Sequence, residues 1–63
     1  MERNLTYKTM FEDGIYTISV FDGKHLIFDV ECQSEAEEDI EEAILSYLDD
    51  NGFSDKCFNV IHP

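Results

Sequence analysis

The stretch IYTISVFDGKHLIFDVEC, residues 15–32, holds two runs of alternating side chains joined at Asp22-Gly23. In the first run Tyr16, Ile18 and Val20 share one side and Thr17, Ser19 and Phe21 the other, and its β-branched and aromatic content suits a strand. In the second, Leu26, Phe28, Val30 and Cys32 are expected to face a core, with His25, Ile27, Asp29 and Glu31 pointing away. A type I′ turn needs positive φ at both central residues, and Asp22-Gly23 tolerates this, so a tight hairpin is expected between the runs.

Upstream, Leu5, Tyr7, Thr9 and Phe11 alternate with Thr6, Lys8 and Met10, which predicts a further strand over residues 5–11 that ends in a turn at Glu12-Asp13-Gly14. Downstream, Ser34-Glu35-Ala36-Glu37 has the form of a capping box. The Ser34 hydroxyl would accept from the Glu37 amide while the Glu37 carboxylate reaches back. Ala36, Ile40, Ala43, Ile44, Tyr47 and Leu48 then lay one apolar stripe along a helix, which Asn51-Gly52 ends by a left-handed residue. Phe53 is expected to fold back on the last turn, and residues 57–62 to form a final strand with Phe58 and Val60 on one face.

The order is β-β-β-α-β and the class α+β: a small antiparallel sheet of three to four strands with one acidic helix packed on one face. Sixty-three residues make a single domain, 1–63, with no room for a second core. A single core of this size leaves a stability of about 3–5 kcal/mol, so every destabilising feature counts.

The charge is lopsided. Fifteen Asp and Glu stand against 4 Lys and Arg, a formal charge of -11, while 43% hydrophobic residues mark a folded chain and not an acidic disordered tail. This balance argues against direct nucleic-acid binding and against an anionic membrane surface, and favours a cationic partner. No apolar stretch approaches the ~20 residues that span a bilayer, and Met1-Glu2-Arg3-Asn4 leads into no signal-peptide core. Two cysteines, Cys32 and Cys57, are too few for a disulfide framework, so a reduced, cytoplasmic protein is expected.

Residues 25–55 contain no Lys or Arg, yet they carry Asp29, Glu31, Glu35, Glu37, Glu38, Asp39, Glu41, Glu42, Asp49, Asp50 and Asp55. Glu35 with Asp39, Glu37 with Glu41, and Glu38 with Glu42 are like-charge pairs one helical turn apart, each costing a few tenths of a kcal/mol. The helix dipole favours acids in the first turn but opposes Asp49 and Asp50 at the last. A strongly acidic surface also keeps a small protein soluble and monomeric. A helix that breaks local charge rules without structural gain, however, points to function. The expected partner-binding residues are Asp29, Glu31, Glu35, Glu37, Glu38, Asp39, Glu41, Glu42, Asp49 and Asp50, their carboxylates imitating a nucleic-acid backbone. Ile27, Phe21, Leu45 and Phe53 are candidates for the apolar contacts that charge alone does not supply.

Other chemistries are weakly supported. With Gly52 at the sixth position of a calcium loop, the first and twelfth would be Tyr47 and Phe58, which offer no carboxylate. His25, Cys32, Cys57 and His62 lack the close spacings of a zinc site. There is no nucleophile setting and no Gly-rich phosphate loop, so neither enzymatic activity nor a cofactor is expected. Arg3, Lys8, Lys24 and Lys56 are scattered and form no basic patch.

The succession of residues 16–21, a tight hairpin, residues 26–30, a Ser-initiated helix containing Glu42-Ala43, then Gly52-Phe53 and a last strand near Pro63 resembles the small phage inhibitors of bacterial RNA polymerase. That resemblance implies a hairpin, helix and strand domain that blocks transcription at the polymerase cleft. In that family basic residues of the last strand make much of the contact, and here the segment Phe58-Asn59-Val60-Ile61-His62 has no Arg. The acidity is similar to that of anti-CRISPR and anti-restriction proteins that mimic DNA. The combined expectation is a non-enzymatic inhibitor, monomer or homodimer. It would cover a basic nucleic-acid-binding surface of a host CRISPR effector, restriction enzyme or RNA polymerase. The alternative is an intracellular adaptor or antitoxin-like module that uses a sheet edge.

Overall fold

The computed structural model describes residues 3–54 and 57–62, so Asp55 of the acidic block and the scattered cation Lys56 lie outside the described residues, and the last strand, expected over residues 57–62, spans Phe58–Val60. The elements run β1 (Arg3–Glu12), β2 (Ile15–Asp22), β3 (His25–Cys32), α1 (Glu37–Asp50) and β4 (Phe58–Val60). The α+β class and the single helix on one sheet face are as expected.

The strand order is β3-β2-β1-β4. β1, β2 and β3 pair antiparallel, but β4 runs parallel to β1 through Arg3↔Phe58, Asn4↔Asn59 and Leu5↔Val60. The sheet is therefore mixed and not wholly antiparallel. β3 runs in the direction of β1, one helix returns the chain, and the next strand must run with β1 again. The Ile61 N–H continues this pairing by donating to the Leu5 carbonyl at 2.8 Å.

Leu5 and Tyr7 of β1, Ile18 and Val20 of β2, Val60 of β4, and Ile40, Ile44 and Leu48 of α1 form the buried core, with Phe28, Val30, Cys32, Leu45 and Phe58 packed against it. The spacing of four between the helix residues keeps them on one stripe. Tyr47 caps the β3 side of this stripe, its ring stacked on Phe28 with centroids 4.2 Å apart.

Three expectations are corrected. First, the register of β3 slips by one residue: Val20 opposes Phe28, while Phe21 opposes Leu26, so Ile27 is an extra residue in a β-bulge. The slip moves Leu26, expected in the core, to the outer face, where it is 55% exposed. Second, the type I′ turn expected at Asp22-Gly23 forms instead at the first hairpin. Asp13 (φ 53) and Gly14 (φ 78) both adopt positive φ, the pattern of a type I′ turn. At the second hairpin Asp22 pairs with His25, so Gly23 and Lys24 are the central residues, and positive φ at Gly23 alone fits type II′. Third, no capping box forms. Ala36, in extended conformation, is the N-cap without a side-chain bond, and the Ser34 hydroxyl accepts from the Ala36 N–H at 3.2 Å, a local turn that competes with capping.

The carboxyl end follows expectation. The Phe53 N–H donates to the Leu48 carbonyl at 2.9 Å and the Gly52 N–H to the Asp49 carbonyl at 3.1 Å, the pair of bonds of a Schellman motif. Gly52 supplies the left-handed residue with φ 83.

Candidate functional site

Burial of Ile40, Ile44 and Leu48 fixes how α1 is rotated, and so decides which acids face solvent together. Glu38, Glu42, Leu45 and Asp49 follow at spacings of four, three and four, a row along one side of the helix in which the three acids are exposed and Leu45 packs against the core, with Glu41 and Ser46 beside it. From Glu38 to Asp49 this row is about 16 Å long at 1.5 Å per residue. Along the helix axis Glu38, Glu41, Glu42 and Asp49 are separated by about 4.5, 1.5 and 10.5 Å, on average sparser than the ~3.4 Å of phosphates along one nucleic-acid strand and well short of the duplex total.

The other acids fall elsewhere. Asp39 and Asp50 are exposed on the other side of the solvent face of the helix. Glu35 precedes α1 and accepts from the Tyr16 hydroxyl at 3.3 Å. Burial of the Tyr16 phenol, followed by the Glu35 charge and this hydrogen bond, raises its pKa above the usual value. Glu37 and Glu41 lie on the side of Tyr7, whose phenol is likewise shifted up, first by burial and then by these two carboxylates. Asp29 and Glu31 are exposed on the outer sheet face, level with Ser19 and Thr17, and the helix covers the other face. They do not join the helix acids, so the expected ten-residue surface divides into a helix face and a sheet face.

Compensation of the helix charge is slight. Among the described residues one helix acid lies within 4 Å of a basic side chain: Glu41, whose Oε1 is 3.6 Å from His62 Nε2, a contact that is an ion pair only with the imidazole protonated. The last turn carries no basic residue. His62 is half-buried, and its Nδ1 lies 2.7 Å from the Tyr7 hydroxyl. Nothing in the spacing of Tyr7, Glu41 and His62 signals this contact, because β4 alone brings the chain end beside β1. Of the apolar candidates, Ile27 and Phe53 are exposed while Phe21 and Leu45 are half-buried. Sequence reading missed the exposed Met10, Phe11, Leu26 and Tyr47.

Among the described residues no three His, Cys, Asp or Glu side chains converge as metal ligands, and no helix is long and apolar enough to cross a membrane. Cys32 is half-buried and Cys57 exposed, both as free thiols. No protein-family model matches the chain, and comparison with curated proteins and with solved structures gives no match, so function is read from the residues themselves.

Proposed function

We propose that this protein is a non-enzymatic acidic binder that uses α1 to cover a basic nucleic-acid-binding surface of a protein complex, acting as an inhibitor by occupation. One observation carries the reading: Glu38, Glu42 and Asp49 stand in a solvent-facing row on a helix without a single Lys or Arg. Such a row costs stability through like-charge repulsion and an unfavourable helix end. In a domain this small, the cost is offset when a cationic groove receives the row, with fast electrostatic steering and strong dependence on salt. A CRISPR effector, a restriction enzyme or an RNA polymerase offers a groove of this kind, and a phage-type inhibitor is the role that fits.

The test is capture of proteins from bacterial lysate on the immobilised chain at low ionic strength, with elution by duplex DNA. Retention of a nucleic-acid-binding complex that DNA displaces is the expected result. A captured complex indifferent to DNA would refute mimicry.

A second reading rests on β3, an eight-residue strand at the open edge of the sheet. Such an edge can add a strand from another protein. If it does, Val30→Pro stops association and reversal of helix charge leaves it unchanged.

A further inference from the structure

Between the last turn of α1, the bulge of β3 and the start of β1 lies a cleft of about 240 Å³, walled by Ile27, Phe28, Tyr47, Leu48, Phe53 and Phe58. The bulge shapes it, since the extra residue turns Ile27 to the cleft rim while Leu26 goes to the outer face. The Schellman motif shapes the opposite wall by returning Phe53 against Leu48, and the Phe53 ring meets Phe58 edge-on with centroids 6.2 Å apart. Ile27 and Phe53 remain 44% and 54% exposed, so apolar surface stands open to water at a cost that packing inside the chain does not recover.

We infer that this cleft receives one large apolar side chain, aromatic or branched aliphatic, from a cationic segment of the protein partner. The inference rests on the acidic-surface reading and adds the anchor to it. The volume is below the ~300 Å³ lower end of small-molecule sites and suits a single side chain, the usual form of an interface hot spot. The surroundings select the charge of that segment. The carboxyl end of the helix, whose C-cap residue Asn51 lines the cleft, adds negative potential there, the last turn carries no basic residue, and the chain as a whole has a charge of -11, while Asp49 and Asp50 lie outside the lining. On the far rim, Arg3 is balanced by Asp22, with Nε 3.6 Å from Oδ2. A second copy of the chain is a poor occupant, because each copy carries a charge of -11.

The experiment titrates the full ¹⁵N-labelled chain, at low and high salt, with two synthetic peptides of sequence Lys-Lys-X-Lys-Lys, where X is Ala or Trp. The Trp peptide is expected to bind about tenfold tighter than the Ala peptide. Its shifts should centre on Ile27, Tyr47 and Phe53, and Ile27→Ser or Phe53→Ala, both at exposed positions, should remove the advantage. Equal affinities, or an advantage that survives both substitutions, overturn the cleft. A concentration-dependent dimer abolished by Phe53→Ala also overturns it, by assigning the cleft to a second copy. The underlying reading fails separately, if the Ala peptide shows no salt-dependent binding at all.

Discussion

Tyr7 sits where β1, the acidic helix and the segment after β4 meet. Its hydroxyl shares a hydrogen bond with His62 Nδ1 at 2.7 Å, and the other ring nitrogen, Nε2, lies 3.6 Å from Glu41 Oε1. Tyr7→Phe removes this bond and should cost about 1 kcal/mol in urea unfolding, a sizeable share of a total of about 3–5 kcal/mol. The raised phenol pKa gives a second signature. Below pH ~10 both folded and unfolded states hold the proton and there is no effect; above it the unfolded chain ionises first, so stability falls as pH rises toward the folded-state pKa. Tyr7→Phe should flatten this alkaline decline, which unfolding midpoints between neutral and alkaline pH would reveal. Ile44, fully buried beneath the helix, is the opposite case: Ile44→Ala should cost about 2–5 kcal/mol and leave much of the chain unfolded by circular dichroism.

At the level of elements, the two ends of α1 differ in how they are held. Gly52 has a φ of 83 and open space around the position of a Cβ, so Gly52→Ala meets backbone strain without a clash and should lower stability by about 1–2 kcal/mol. Asp50→Lys at the same end places a cation where the dipole favours one, and should raise stability by about 0.3–1 kcal/mol in thermal unfolding, less at high salt. Periods of two and of 3.6 made the strands and the helix legible in the sequence. The bulge was not, because Leu26, Ile27 and Phe28 are all apolar and either register satisfies the pattern. Nor was the parallel pairing of β4, which depends on where a helix deposits the chain and leaves no local mark. Ser34 carried a true signal for a turn near the helix start, but its hydroxyl was near enough to the Ala36 amide to close a smaller loop first.

Across the molecule, charge and packing are separated by layer. Among the described residues the core holds no buried polar or charged residue, the helix acids other than half-buried Glu41 are exposed, and the uncovered sheet face mixes Lys8, Asp29 and Glu31 with Met10 and Leu26. The sequence showed that the acids were uncompensated; it took the helix rotation to show that Glu38, Glu42 and Asp49 form the outward row while Glu41 is held by His62. Asp29 and Glu31 could have been set apart by alternation, since residues pointing away from the core of a two-layer fold also point away from its helix. With a net charge of -11, the folded state should gain stability as salt screens its self-repulsion, even as binding to a cationic partner weakens. The most direct measurement therefore follows both quantities in one variant, Glu38→Lys with Glu42→Lys and Asp49→Lys, which leaves the Glu41–His62 contact in place. Its melting temperature should equal or exceed that of the parent while its capture of the DNA-displaceable complex is lost. Undiminished capture by a folded variant would contradict the helix row as the binding surface.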